Sequence, residues 1–137
     1  MNRKDLQSLA DERLEDARVL LANKRHGGAY YPVGYAVECG LKACIAKLTQ
    51  AEDFYDKTLA RNVFQHGIGV LANLARLSTV IKQFGEADPL FEANWAQVTV
   101  WDEESRYETH TQAEAEQMMK AVEDQDHGVM QCIKQYW

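Results

Sequence analysis

The chain has 137 residues, of which 46% are hydrophobic and 26% charged. That balance suits one globular domain spanning residues 1–137 and excludes a disordered polar chain. Fifteen basic and 21 acidic side chains give a formal charge of -6, which excludes a broad nucleic-acid-binding face; phosphate would have to be met locally, by a few Arg or Lys side chains. Cys39, Cys44 and Cys132 are odd in number and lack CxxC spacing. They read as small buried thiols of a reducing compartment, and no His/Cys spacing points to a metal or other cofactor. The opening Met1-Asn2-Arg3-Lys4-Asp5 runs into a charged segment, unlike a signal peptide, and no run reaches the ~18 apolar residues of a membrane span. The expectation is a cytoplasmic protein with no membrane partner.

From Asp5 to Asn23, Leu6, Leu9, Leu14, Ala17, Leu20 and Leu21 recur at helical spacing, with charges between them. Gly27-Gly28 reads as the stop of this first helix. A second helix is expected from about Ala29 to Leu48, with Pro32 in its first turn and Val33, Ala36, Val37, Gly40, Leu41, Cys44, Ile45 and Leu48 as a broad apolar face. Gly34 and Gly40 each cost a helix about 1 kcal/mol against Ala. Two such residues on an apolar helix point to close neighbours, so this helix is expected at the centre, in a hairpin with the first.

Gln50 to Lys57 is polar and reads as a connection. Ile68, Val70, Leu71, Leu74, Leu77 and Ile81 form the stripe of a third helix within Thr58 to Phe84. Gly67 and Gly69 leave its start open: one helix, or two broken at His66-Gly67. Gly85 reads as its end. Asp88-Pro89 signals a fourth helix, cap then Pro, running to near Trp101. Asp102 to His110 reads as a loop. Thr111 and Glu114 have capping-box spacing and open a last helix with Ala115, Met118, Met119, Val122, Val129, Met130, Ile133 and Trp137 on its apolar side. Asp126, His127 and Gly128 interrupt that pattern and predict a kink. No alternating strand pattern competes. The expected fold is all-α, an antiparallel up-and-down bundle of four to five helices.

Several of these segments carry more than helix periodicity. Leu14-Glu-Asp-Ala-Arg-Val-Leu-Leu21, then Tyr30 to Lys42 with Tyr35, Glu38, Leu41 and Lys42, then His66-x-Ile68-x-x-Leu71, then Glu104-Ser-Arg106-Tyr107, occur in this order across about residues 5 to 110. The ordered set resembles the HEPN family, small prokaryotic helical domains often encoded beside minimal nucleotidyltransferases. The resemblance implies a HEPN-like bundle that forms a homodimer. It also implies a role as an accessory domain binding a nucleotide, an RNA or a nucleotidyltransferase partner in a toxin–antitoxin or defence pair.

Ribonuclease members of that family carry Arg, four to six residues, then His, with a polar residue after the Arg, and act at a dimer interface without metal. Arg61, Asn62 and His66 are similar to that pattern. The chemistry fits the residue types: His near neutral pKa is an acid or base, and Arg grips phosphate through its planar fork. On a regular helix, however, positions five apart point about 140° away from each other. Arg61 and His66 converge only if a helix begins between them or if two chains supply them. Otherwise His66 is a helix-start residue bonded to its neighbours.

Two other readings concern ligand binding. Glu38 and Lys42, four apart, form either a surface ion pair or, with Tyr31 and Tyr35, the lining of a polar groove. Arg106 and Tyr107 would then lie nearby as phosphate or nucleotide contacts. The alternative packs the tyrosines on the last helix with their hydroxyls at the rim. Arg106 and His110 form a second, shorter Arg/His pair. Trp95, Trp101 and Trp137 read as core or interface anchors. A purely structural dimerisation scaffold is the remaining reading.

Overall fold

Helix α1, Arg3–Ala22, starts on a reciprocal cap. The Asn2 side chain accepts from the Asp5 amide at 3.0 Å, and the Asp5 carboxylate accepts from the Asn2 amide at 2.8 Å. Its buried face, Ala10, Leu14 and Ala17, lies along α2, His26–Ala51. The structure, a computed structural model, describes residues 1–51 and 64–137. Among the described residues it is all-helical, with seven α-helices and one 3-10 helix, more pieces than the four or five expected.

The difference comes from stops that the sequence does not advertise. Gly27-Gly28 does not end α1; both residues lie in the first turn of α2. The chain turns instead at Lys24, which takes φ 59°. Lys24 donates to the Leu21 carbonyl at 3.1 Å and Arg25 to that of Leu20 at 2.7 Å, the paired bonds of a left-handed helix terminus. Gly usually fills that position, because other residues pay about 1 kcal/mol there. Pro32 consequently sits in the second turn of α2, not the first, and leaves the Gly28 carbonyl without its helical donor.

The same device splits the third helix. Helix α3, Ile68–Leu74, ends where Arg76 adopts φ 59°. Arg76 donates to Asn73 at 3.0 Å and Leu77 to Ala72 at 2.9 Å. Helix α4, Ser78–Ala87, follows, and Gly85 is buried inside it with the Glu92 stem against it, not at its end. Helix α5, Pro89–Thr99, begins as expected: the Asp88 side chain accepts from the Leu90 amide at 3.1 Å, with Pro89 behind it. The stretch expected as a loop contains a 3-10 helix, Glu103–Tyr107, capped by Asp102.

Helix α6, Gln112–Glu123, is capped by Thr111, which accepts from the Glu114 amide at 3.2 Å. The Glu114 carboxylate turns to His110 instead of completing a capping box. The expected kink is a full break. Asp124 accepts from the amides of Asp126 at 2.9 Å and His127 at 2.8 Å, and α7, Val129–Lys134, restarts beyond Gly128. A Cβ on Gly128 would collide with the Asp124 backbone. His127 is clasped from α5, by Asp88 at 2.5 Å on Nδ1 and by Asn94 at 2.9 Å on its carbonyl. That hydrogen bond raises the His127 pKa and lowers that of Asp88, so each supports the charged form of the other.

Helix α2 is the spine. Helices α1, α3, α6 and α7 and the 3-10 helix all pack on it. Residues 36 to 41 are buried without interruption, which on a 3.6-residue repeat means cover on every side. The two glycines mark the closest approaches: the buried Trp101 indole lies where a Gly34 side chain would project, and Ile133 and Met130 of α7 crowd Gly40. No helix among the described residues is long and apolar enough to cross a membrane.

Gly34→Ala is therefore expected to cost roughly 1–3 kcal/mol, because the buried indole must shift. Lys24→Gly, which relieves the left-handed strain, is expected to gain up to about 1 kcal/mol. Urea denaturation of both variants checks the pair; an unchanged Gly34→Ala midpoint contradicts the packing.

Candidate functional site

A carboxylate lies inside the spine. Glu38 is 1% exposed, flanked on α2 by apolar neighbours, where an uncompensated charge is expensive. Its Oε1 receives Lys42 Nζ at 2.7 Å, one turn on, and His66 Nδ1 at 3.0 Å, from the segment leading into α3. Its Oε2 is buried and has no hydrogen-bond partner among the described residues. The other ring nitrogen of His66, Nε2, meets Glu103 of the 3-10 helix at 3.1 Å. The imidazole is thus held between two carboxylates from different elements. The Nδ1 contact is a hydrogen bond and the Nε2 contact an ion pair, and ionised carboxylates only accept, so both are attractive when the ring carries both N–H protons.

The tyrosines extend this cluster along α2. Tyr31 and Tyr35 stack at 5.9 Å, and Tyr31 lies 5.5 Å from Trp101. Both rings pack against the core, and Tyr31 leans on the indole that covers Gly34. Burial pushes the Tyr31 hydroxyl pKa up, the Glu38 charge adds to this, and the Arg106 charge opposes it. Burial, then the neighbouring Cys39 thiol, pushes Tyr35 up to about 12, and burial with the Glu38 charge holds Cys39 up at about 11. Neither the Tyr35 phenol nor the Cys39 thiol is a ready nucleophile in such surroundings.

Arg106 lies at the surface, its guanidinium 4.8 Å from the Tyr107 ring centre. Its pKa is raised, first by the Tyr107 phenol, with Tyr31 and Glu103 adding to it. Tyr107 is 73% exposed. The 3-10 helix therefore serves two ends: Glu103 fastens it to His66, and Arg106 and Tyr107 face outward beside Tyr31.

Of the residues singled out by sequence, the structure brings Tyr31, Tyr35, Glu38, Lys42, His66, Arg106 and Tyr107 into one neighbourhood. Arg61 and Asn62 lie outside the described residues. Both His66 ring nitrogens face carboxylates, Nδ1 toward Glu38 and Nε2 toward Glu103. Arg106 and His110 turn to different partners: His110 is buried, stacked on Tyr30 at 3.7 Å, with Nδ1 on Glu114 at 3.2 Å. Glu103 is the residue that sequence reasoning missed. Its partner is 37 positions away with no spacing that links them, and only its place in the acidic run before Arg106 marked it. Asp124, Asp126 and His127 place one ligand atom each within 4.8 Å of one another, a grouping that the spacings of His and Cys alone did not show. The Asp124 carboxylate there already accepts two backbone amides and the His127 ring is held by Asp88.

No family model, curated protein or solved structure matches the chain.

Lys42→Met removes one of the two cationic partners of a buried carboxylate and is expected to cost about 3 kcal/mol. Adding Glu38→Gln to it is expected to recover much of that loss, since the stranded charge goes with it. A denaturant-monitored double-mutant cycle checks this, and additive losses contradict the account.

Proposed function

We propose that the chain is a HEPN-like accessory domain, an up-and-down helical bundle, and that it binds a nucleotide at the surface formed by Tyr31, Arg106 and Tyr107 over the Glu38 cluster. The observation that carries the reading is the buried Glu38 carboxylate, one oxygen of which has no partner among the described residues. A fold of this size gains nothing from such a group: a well-packed apolar side chain there is often equal or better for stability. Local rules broken at the centre of a core are expected where a site is being built.

The kinship draws support from convergence in space. Glu38 and Lys42 come from the second helix, His66 from the approach to α3, and Arg106-Tyr107 from the segment before α6. These are three of the segments on which the resemblance rests, and they meet at one place. Binding is favoured over cleavage because His66 is tied to the buried Glu38 and faces Glu103, whereas Arg106 and Tyr107 are presented outward. A guanidinium grips phosphate in its fork, and an exposed phenol ring offers a stacking face to a base. One such local cation also fits an acidic chain that has no broad basic face. A homodimer paired with a nucleotidyltransferase partner belongs to the same proposal.

Calorimetric titration of the protein with adenosine and guanosine triphosphates tests it. Saturable binding is expected, weakened about tenfold or more in Arg106→Ala by the loss of charge-assisted hydrogen bonds, and weakened in Tyr107→Ala. Absence of saturable binding at millimolar nucleotide, or equal binding by Arg106→Ala, would overturn the assignment.

A further inference from the structure

We propose that His66 is a proton-operated latch that fastens the 3-10 helix, and with it Arg106 and Tyr107, to the spine. As a statement about regulation of the ligand surface, it rests on the reading above; as a statement about the fold, it stands alone. Three charged groups face the ring among the described residues: Glu38 and Lys42 from α2, and Glu103 from the 3-10 helix, with Arg106 further along that helix. When His66 carries both ring protons, Nδ1–H donates to Glu38 and the positive ring holds the Glu103 carboxylate 3.1 Å from Nε2 as an ion pair, and the three segments are tied.

Loss of one proton to water leaves a single N–H for two carboxylates, and the two have unequal claims on it. Glu38 is 1% exposed, and its Oε2 has no partner among the described residues, so bulk water does not solvate it. The Glu103 side chain is 41% exposed and can be solvated in place of the bond. The remaining proton therefore stays on Nδ1, where the buried charge needs it. The lone pair then faces Glu103, and that contact changes from attraction to repulsion. The latch opens on one defined side: His66 stays with α2, and the 3-10 helix is let go. Arg106 and Tyr107 lose the tie that positions them, although Tyr31 continues to meet Arg106.

Two measurements on the full chain without ligand test the latch. Long-range nitrogen–proton correlation spectra report which His66 nitrogen keeps its proton through the titration. Amide hydrogen exchange in residues 103 to 107, corrected for its intrinsic pH dependence, reports the release. Expected is a neutral ring protonated on Nδ1, with exchange in the 3-10 helix rising about two- to fivefold as His66 loses its charge, the size of one partly exposed ion pair. In Glu103→Gln the rise is absent, because a carboxamide can donate to Nε2 as well as accept from it. A neutral ring protonated on Nε2, or the same rise in Glu103→Gln, overturns the proposal. A latch that behaves as expected in a protein that binds no nucleotide overturns only the ligand assignment. Nucleotide binding with exchange indifferent to His66 overturns only the latch.

Discussion

The described part of this protein is arranged around a helix whose middle has no outside. Helix α2 is covered by α1, α3, α6, α7 and the 3-10 helix, and its middle turn and a half is buried all round. That middle stretch is constrained at every residue. Where neighbours come closest the helix carries no side chain, at Gly34 and Gly40. Where space remains it is filled by Val33, Val37, Leu41 and Ile45. The burial of apolar surface, at about 25 cal/mol per Å², is the driving term that holds the other elements to it. The one polar departure, Glu38, draws in charged partners for the same reason: in a dry interior its charge must be compensated locally.

That compensation links architecture to function. Lys42 is local to the helix, but His66 and Glu103 are not, and they bring the approach to α3 and the 3-10 helix to the same point. Arg106 and Tyr107 ride on the element that Glu103 fastens. The outward-facing groups are thus positioned by a buried charge, through one hydrogen bond, one ring and one ion pair. A site on a short, irregular 3-10 helix would otherwise be loosely held; here its position is set by a rigid element.

Much of this was legible in the residues. The apolar periodicity of α1 and α2 and the Asp88-Pro89 start are local signals, and they appear where the sequence places them. So do the two glycines facing close neighbours, because a helical glycine without a positive φ has few other reasons to be there. The helix stops misled for a definite physical reason. Lys24 and Arg76 occupy left-handed positions that Gly usually takes, while Gly27, Gly28 and Gly85 sit within helices, so glycine punctuation pointed to the wrong places. The break after Glu123 was visible as a disturbed pattern, but its completeness depends on Asp124 turning back to cap the next amides. Within the site, the grouping of Tyr31, Glu38, Lys42, Arg106 and Tyr107 was readable as a face of α2 joined to a nearby basic-aromatic pair. The role of His66 between two carboxylates was not, because it depends on residues 28 and 37 positions away meeting in space. Arg61 and Asn62 fall outside the described residues.

The central claim is that the middle of α2 is reachable by water only when the whole domain comes apart. Native-state hydrogen exchange measures this directly. The account predicts that the amides of residues 36 to 41 exchange with the same free energy as global unfolding measured in denaturant. Exchange of these amides through a smaller, local opening, while α6 stays protected, would contradict it.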